Sequence, residues 1–450
     1  MILTFKLAVV TIASAVLFGV TSAFASGPPA VIVGSCPASA PSGVSFFIMP
    51  SGSTASSITT GLAMVSPGGT VYVCPGTYKE QVSISSNVNL IGLYKSGVGP
   101  AIVAPASGIV ANTTDLYDGS PVAAQVLIKG GSIASISGFT VDGSNSNLNS
   151  CVDLVGVYYR NSSGTLSNVS IKNEALSPSL ASCPAGLGVY IESGFTVAGT
   201  SVVKVQGVSV SNFQENGITA KGPGANVVLN NNTVTGVGPT AAIAQNGIQV
   251  SDGAIGSVSN NRILNMDYTV GEVQATGILV YASKGVSILG NTIAGVQTPI
   301  VTLTDPTDPT STNPTGTADG AIILGNTITG LLTTSPKSFL ADGIDVCSSF
   351  NTISLNTITN TVVDGVDLDR TCGVGSSDQS GNYNIVTLNN IQNSCSAILL
   401  HSITALQNLI LLNTASGVKE SIATNGTCPG ASISNPLQVR VAPSLMGHHL

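Results

Sequence analysis

Four titratable side chains in the last third of the chain lie at matching distances from a repeated glycine. Asp345 and Asp367 each follow such a glycine by two places, and Asp369 follows it by four. His401 has the same four-place offset where an alanine replaces the glycine. If the segments that carry them stack in register, these side chains gather on one face at the strand spacing of about 4.8 Å. Two carboxylates at this separation can catalyse glycoside hydrolysis, one as the acid and the other as the nucleophile or base. Their mutual repulsion raises the pKa of at least one of them.

Neighbouring residues extend this predicted catalytic site. Tyr281 offers an aromatic face for a sugar, and Asp342 and Arg370 lie beside the site in the sequence, so these three are predicted to bind substrate. No residue is assigned as a metal ligand, although a Ca²⁺ ion could relieve the repulsion and bridge to an acidic sugar. The alternative is that the aspartates are solvated turn residues, which are common before glycine, and Asp342 and Asp364 fit that interpretation best. A lone histidine is also more often a surface or corner residue than a base.

The region that must position these residues repeats a short phrase. An apolar residue, one or two polar residues, an Asn, a small residue and a β-branched residue recur between Leu229 and Thr414. The marker asparagines, 24 to 35 residues apart, are Asn232, Asn261, Asn291, Asn326, Asn356, Asn389 and Asn413. A period in this range is typical of a solenoid. Within each unit apolar and polar residues alternate, which predicts β-strands rather than helices.

A second phrase, a glycine followed by alternating residues, occurs in the same units as NGIQV, TGILV, DGIDV and DGVDL. Two or three short strands per turn, joined by Gly and Asn corners, wind into a parallel β-helix. The chain resembles, over roughly residues 45 to 425, the right-handed parallel β-helix proteins of the pectin-lyase-like superfamily, whose repeats are described as carbohydrate-binding and sugar-hydrolysis repeats. The resemblance implies an all-β, single-stranded β-helix. It also implies that the stacked asparagines bond to each other and to the backbone in a tight turn, which suits the tolerance of Asn for left-handed geometry.

Two segments carry more detailed likenesses. The run from Ile58 to Tyr94 resembles the first coils of many such proteins, pectin methylesterases among them, in which a short helix caps the open end of the core. Gly76, Tyr78 and Glu80 in this run are expected to be structural. The segment around Asp342 is similar to the NTDGID segment of polygalacturonases, where the first Asp is catalytic. The later Asp-Asp, Gly-His-Gly and Arg-Ile-Lys elements of that pattern have no match here, so the likeness supports the fold and assigns no activity.

The N-terminus predicts export. Residues 1–25 combine Lys6, an apolar run from Leu7 to Phe18 and an Ala-Phe-Ala site before Ser26, as in a secretory signal peptide. We expect an N-terminal extension at 26–57, the β-helix at 58–425 and a tail at 426–450. No second apolar stretch reaches membrane-spanning length, which predicts no membrane insertion after signal removal. The protein is expected to be secreted, or to lie at the cell surface or in the periplasm.

Eight cysteines in an exported chain favour disulfides. With only three histidines, a zinc site is not expected. Connectivity is formally open, but sequence neighbours are spatial neighbours in a solenoid. The favoured pairs are Cys36 with Cys74, Cys151 with Cys183, Cys347 with Cys372, and Cys395 with Cys428.

Charge and composition narrow the choice of partner. Lys and Arg number 14 against 21 Asp and Glu, a net charge of −7, which excludes an electrostatic footprint for nucleic acid or anionic membrane. We expect a monomer. Two classes of function remain. The first is an exported enzyme, a hydrolase or a lyase, that cleaves a polysaccharide, which could be acidic. The second is a non-catalytic, adhesin-like surface or matrix protein. A groove beside the insertion at 305–317 would favour the enzyme, whereas the absence of Trp counts against a strong sugar-stacking platform.

Overall fold

The computed structural model describes residues 30–34, 36, 54–105, 108–195, 197–270, 274–304, 316–331, 341–369, 381–400 and 407–423. The expected signal peptide and C-terminal tail lie outside these ranges. Within them, no helix has both the length and the apolar character needed to cross a membrane.

The described residues form three long sheets. Sheet 1 contains β2 (Thr54–Ala55), β1 (Ala30–Val33), β3 (Thr70–Val73), β6 (Val88–Gly92), β10 (Ile133–Ser137), β13 (Ser163–Ser167), β16 (Ser201–Gln206), β19 (Ala225–Asn230), β22 (Ile255–Ser259), β25 (Ser287–Leu289), β28 (Ile322–Leu324), β31 (Thr352–Ser354), β34 (Ile385–Thr387) and β37 (Leu409–Leu411). Sheet 2 contains β4 (Gly76–Lys79), β7 (Ala101–Ala104), β11 (Phe139–Asp142), β14 (Ser170–Lys172), β17 (Ser209–Ser211), β20 (Thr233–Thr240), β23 (Arg262–Tyr268), β26 (Thr292–Val296), β29 (Thr327–Gly330), β32 (Thr357–Thr359), β35 (Asn390–Gln392) and β38 (Thr414–Ser416). Sheet 3 contains β5 (Val82–Ile84), β9 (Pro121–Ile128), β12 (Asp153–Arg160), β15 (Leu187–Glu192), β18 (Asn216–Lys221), β21 (Asn246–Ser251), β24 (Thr276–Tyr281), β27 (Thr298–Leu303), β30 (Ile344–Cys347), β33 (Asp364–Leu368), β36 (Ser396–Leu400) and β39 (Glu420–Ala423), and β8 (Thr113–Thr114) pairs antiparallel with β9.

From β3 onward each coil visits the three sheets in the same order, and, β8 aside, each strand pairs in parallel with its equivalents in the coils before and after. This is the predicted right-handed parallel β-helix with three strands per turn. Inward-facing residues stack in register along each sheet and are buried. The clearest such column, in sheet 3, is Ile218, Ile248, Ile278, Ile300, Ile344, Val366 and Ile398. Because a coil buries its apolar face only against its neighbours, this repetition builds the continuous core.

The N-terminal end carries the predicted cap. Helix α1 (Ile58–Met64) begins after Ser57, whose side chain accepts a hydrogen bond from the Thr60 N–H at 3.1 Å. The Glu80 carboxylate accepts the N–H groups of Ile58 and Thr59 at 2.8 and 2.9 Å, so it pins the first turn of α1. Glu80 is therefore structural, as expected.

The β-structure starts earlier than the sequence predicts. We expected residues 26–57 to be an extension, yet β1 (Ala30–Val33) pairs with β3 along its whole length and β2 pairs with β1. Val33 is fully buried in the core. The apolar run Ala30–Val33, three of whose four residues are β-branched, forms β1, and together with β2 it extends sheet 1 by two strands before α1.

The marker asparagines form the predicted ladder at the corner between sheets 1 and 2. Each side-chain amide donates to the Oδ1 atom of the next asparagine at 2.9 to 3.0 Å, from Asn232 through to Asn413. Each amide also donates to a backbone carbonyl, as Asn291 Nδ2 does to Val258 O at 2.9 Å. The ladder therefore satisfies buried polar atoms both between coils and within each corner.

The left-handed residue of this corner is not the ladder asparagine. It is the residue directly before it, and the seven residues concerned are Asn231, Asn260, Gly290, Gly325, Leu355, Leu388 and Leu412, with φ between 54° and 66°. Our explanation from the tolerance of Asn for left-handed geometry was therefore wrong for the ladder itself. It applies to the position before it, where three coils carry a leucine.

Two of the four expected disulfides are present, Cys36–Cys74 and Cys151–Cys183. Cys347 and Cys395 are also disulfide-bonded. Their predicted partners, Cys372 and Cys428, lie outside the described residues, so these two pairings stay predictions.

Candidate functional site

The candidate site lies on the outer face of sheet 3, where β30 and β33 enter the sheet. A Cβ atom on Gly343 would lie 2.5 Å from the Gly365 carbonyl oxygen and 2.6 Å from Ile358 Cγ2, so only glycine fits between these coils. The backbone bends there, and the strict alternation of inward and outward residues is interrupted. As a result Asp342 and Asp345, three positions apart, both belong to the outer face.

Five aspartates converge on this face. Asp345 and Asp367 are register partners in adjacent strands. Oxygen atoms of Asp342, Asp364 and Asp367 all lie within 4.8 Å of one another. Asp369 follows β33 directly, and its N–H donates to the Val346 carbonyl at 3.1 Å. All five side chains are at most 2% exposed. We call these residues the carboxylate face.

Polar neighbours hold the carboxylates in place. Gln274 Nε2 donates to Asp345 Oδ2 at 3.2 Å, and Thr298 in turn donates to the Gln274 carbonyl oxygen. The Asp364 N–H donates to Asp342 Oδ1 at 3.0 Å, and the Ser396 hydroxyl donates to Asp364 Oδ1. The contacting groups come from four different coils, so the register of the helix fixes the relative positions of the acids.

Burial and mutual repulsion shift the ionisation of this group. Burial raises the pKa of Asp342 well above its usual value, and the charges of Asp367, Asp364 and Asp345 raise it further. A protonated Asp342 beside ionised neighbours can donate a proton, while a neighbour acts as base or nucleophile. Three carboxylates within 4.8 Å also match the oxygen ligands that Ca²⁺ takes in proteins, so their chemistry fits a divalent cation as well.

The predicted substrate-binding tyrosine has another environment. Tyr281 is buried in an apolar cluster with Leu279, Val301, Leu303 and the disulfide-bonded Cys347. Its ring packs against these side chains and is 1% exposed. The ring is therefore as buried as the carboxylates, and its predicted role in binding substrate stays a prediction. His401 and Arg370 lie outside the described residues, and their roles stay predictions.

Asp364 and Gln274 belong to the site although the sequence did not assign them to it. The position of Asp364 before a glycine favours a turn aspartate, yet the repetition of Asp-Gly in two consecutive coils is a signal that both aspartates share one environment. Gln274 has no comparable signal, because it lies before β24 and reaches Asp345 from a coil 71 residues away in sequence.

Comparisons with known proteins bear on the fold. The family model described as right handed beta helix region matches residues 124–295 and 193–435. No curated protein matches the chain. Similar solved structures include the catalytic unit of a GH87 alpha-1,3-glucanase from Streptomyces thermodiastaticus strain HF3-3, at 15% identity and a TM-score of 0.47, covering 81% of this chain and 61% of that one.

Two further similar solved structures are a bacteriophage protein and a bacterial surface protein. The N-terminal fragment of bacteriophage phi29 gene product 12 is 14% identical with a TM-score of 0.44, covering 78% of this chain and 61% of that one. PfbA, a surface adhesin of Streptococcus pneumoniae, is 15% identical with a TM-score of 0.47, covering 80% of this chain and 86% of that one. The chain spans less than two thirds of the length of the glucanase unit and the phage fragment.

Proposed function

The chain belongs to the right-handed β-helix family, and from that premise we propose that it is an exported glycoside hydrolase that acts on a polysaccharide at the carboxylate face. The fold alone does not imply this activity, since the same architecture hosts unrelated functions. The observation that carries the proposal is the convergence of Asp342, Asp364 and Asp367 within 4.8 Å, with the pKa of Asp342 raised.

Each residue has a role in the proposed reaction. Asp342 gives its proton to the glycosidic oxygen as that bond breaks. Asp367, ionised, attacks the anomeric carbon, and water then releases the sugar with Asp342 acting as base. Separations of about 5 to 5.5 Å between the two carboxyl groups are typical of such retaining enzymes. The carboxyl oxygens of Asp345 and Asp369 add to the acceptors that face the positive charge developing on the sugar ring.

The charge of the site favours a neutral sugar at the bond that is cleaved. A uronate would bring a further negative charge to a face that already carries five carboxyl groups. An acidic polymer would need a cation such as Ca²⁺ between it and the protein. Because the five side chains are buried, substrate must displace the groups that cover them.

A panel of neutral glycans and polyuronides tests the proposal, with reducing ends and the absorbance of unsaturated products both measured. We expect new reducing ends without unsaturated products. Asp342→Asn should lower the rate by about 100-fold or more, which is the usual contribution of a general acid. Asp142→Asn, on sheet 2, is the matched control and should keep the rate. Unsaturated products would indicate a lyase, and an unchanged rate in Asp342→Asn would remove Asp342 from the mechanism.

One observation favours the alternative of a non-catalytic, adhesin-like protein. Phe350 and Tyr383 stack on adjacent coils with centroids 5.1 Å apart, and they are 61% and 50% exposed. Exposed aromatic rings are common in glycan-binding surfaces. If the protein is a binder, Phe350→Ala should weaken retention on a glycan array while no glycan is cleaved. If it is a hydrolase, the same change should leave the rate on short substrates unaltered.

Export is tested by the mass of the mature protein. We propose that the chain is released after Ala25, so that it begins at Ser26, and that all eight cysteines are paired. Intact mass after alkylation without reductant should equal that of the mature chain with four disulfides. Added alkyl groups would contradict complete pairing, and a mass that includes residues 1–25 would contradict cleavage.

A further inference from the structure

The outer side of sheet 1 is apolar in the last four coils that the structure describes. Five strand residues on it are between 36% and 50% exposed, namely Ile322, Leu324, Ile385, Leu409 and Leu411. They lie in two columns, because β28, β31, β34 and β37 pair in parallel register. Thr352, Ser354 and Thr387 occupy the other positions of these columns, and the Thr387 hydroxyl donates to that of Ser354 at 3.2 Å. In earlier coils the exposed apolar residues stand singly, as Val202 does beside Lys204. A contiguous apolar group of this kind marks an interaction surface.

Three leucines extend this apolar surface to the corner between sheets 1 and 2. Leu355, Leu388 and Leu412 are the left-handed residues before three ladder asparagines, and they are 56%, 49% and 76% exposed. Earlier coils carry Asn or Gly at this position, and both adopt left-handed geometry more readily than leucine. Neither burial nor backbone geometry within the chain favours leucine here, which indicates that these side chains contact a partner. We call the three leucines and the five strand residues the apolar face.

The size and charge of the apolar face favour a second copy of the chain as the partner. Eight large side chains that are about half exposed present roughly 700 Å², close to the area of about 800 Å² that each partner buries in a stable dimer. The described segments that form these coils, 320–331, 349–363, 381–400 and 408–418, contain no Lys, Arg, Asp or Glu. Two copies can therefore meet there without repulsion, although each chain has a net charge of −7, whereas a charged partner finds no opposite charge. The basic residues that usually flank a membrane-binding face are absent from these segments as well.

We propose that two copies of this chain associate through the apolar face, with sheet 1 of one copy packed on sheet 1 of the other about a two-fold axis. A two-fold dimer needs only one self-complementary surface on each chain. Two sheets pack face to face about 10 Å apart with their side chains interdigitated, and the two strand columns supply those side chains. The stacked rings of Phe350 and Tyr383, at the opposite corner of the same coils, border this interface. The carboxylate face belongs to sheet 3, so the interface does not include it and does not depend on its activity. This dimer replaces the monomer that the sequence led us to expect.

Sedimentation equilibrium of the full mature chain over a dilution series tests this interface. We expect the mass of two chains, with a dissociation constant of about 1 μM or lower. Ile385→Lys and Leu409→Lys should each weaken the association by about 100-fold or more, because each would bury an unpaired charge at the interface. Ile255→Lys is the matched control, since Ile255 is 47% exposed like Leu409 and also begins a strand of sheet 1, but in an earlier coil. It should leave the dimer intact. Asp342→Asn should also stay dimeric even if it abolishes hydrolysis, which separates this proposal from the proposed function.

Other occupants of the apolar face give different results. In dilute protein, below the dissociation constant, the two lysine variants should melt at the temperature of the parent, because the face is exposed in the single chain. The stability effects of substitutions on the face are therefore measured in dilute protein, where the single chain unfolds. A monomeric parent whose lysine variants melt at a lower temperature would show that the chain covers the face itself, for example with residues 424–450. A monomeric parent that floats with phosphatidylcholine vesicles would assign the face to a membrane. Either result overturns the proposal, as does a dimer that persists in both lysine variants or dissociates equally in Ile255→Lys.

Discussion

The asparagine ladder and the carboxylate face use the same register with opposite electrostatic results. Both place similar, buried side chains one above another along the solenoid axis. An amide carries a donor and an acceptor, so each asparagine completes the hydrogen bonds of the next one. A carboxylate carries only acceptors and a charge, so stacked aspartates repel each other, and Asp342 responds with a raised pKa. Repetition of asparagine therefore stabilises the corner between sheets 1 and 2, whereas repetition of aspartate destabilises the outer face of sheet 3 through repulsion between like charges.

This difference teaches how to separate structural from functional repeats in a solenoid. A repeated polar residue that satisfies its own copies needs no further partner, and its role ends with the fold. A repeated residue that repels its own copies destabilises the fold, unless a ligand, proton or cation relieves the repulsion. On this criterion the ladder is structural, and the carboxylate face is the candidate for chemistry.

Converting one ladder asparagine into a carboxylate should have the largest effect. In Asn291→Asp, the Nδ2 donor that bonds Asn326 Oδ1 and Val258 O becomes an acceptor that faces acceptors. We expect a loss of about 3 kcal/mol or more in the free energy of unfolding at pH 7. The loss should shrink toward pH 4, because the introduced acid binds a proton in the folded state. Urea denaturation at pH 7 and pH 4 measures this loss in the free energy of unfolding. An equal loss at both pH values would show that the charge of the introduced carboxylate does not affect the ladder.

Removing the ladder bonds without adding charge should cost less. Asn291→Leu deletes the amide, so Asn326 Oδ1 keeps only the backbone N–H of residue 291, and the Asn261 amide keeps only the Leu229 carbonyl. We expect a loss of about 1 to 3 kcal/mol. Asn260→Gly, at the exposed left-handed position of the same corner, is the control and should change stability little. If Asn291→Leu unfolds at the same denaturant concentration as the parent, the ladder contributes nothing to stability.

At the carboxylate face, removing a charge should raise the stability of the protein, whereas adding a charge to the ladder lowers it. Because the pKa of Asp342 is raised in the folded state, its contribution to stability is fully present below the unfolded pKa and is lost as pH rises through the folded pKa. Each unit of upward shift corresponds to about 1.4 kcal/mol. Asp342→Asn keeps the oxygen that accepts the Asp364 N–H but carries no charge. The variant should therefore match the parent near pH 4 and become increasingly more stable than it toward pH 7. A constant difference across this range would contradict the raised pKa.

The smallest effect should come from the residue that precedes the ladder asparagine. Leu388 has φ of 58° and is 49% exposed, a conformation that Asn adopts more readily than Leu. Leu388→Asn should raise the free energy of unfolding by up to about 1 kcal/mol. The control is Leu324→Asn, which lies on β28 with ordinary strand geometry and should bring no gain. If both variants are more stable than the parent, the gain comes from replacing an exposed apolar side chain with a polar one, and the left-handed conformation of Leu388 does not explain it.

Much of the fold could be predicted because its signals are local and periodic. The spacing of the asparagines and the alternation of apolar residues predict the coils, and the two Asp-Gly pairs predict that Asp345 and Asp367 are register partners. The burial of the outer face of sheet 3 could not be predicted, because it depends on contacts from distant segments. For the same reason Gln274 and the pairing of β1 with β3 went unrecognised. Periodicity predicts which residues share a column, and it does not predict what covers that column.

The joint measurement of stability and activity in Asp342→Asn tests the central claim most directly. Melting temperature at pH 7 and the rate of reducing-end release are measured on one preparation, with the glycan that the parent cleaves. If the carboxylate face is a frustrated, functional repeat, the variant melts at a higher temperature than the parent and loses its activity. A variant that melts at a lower temperature and keeps its activity would show that Asp342 is a structural residue like the ladder asparagines, and the account would be wrong.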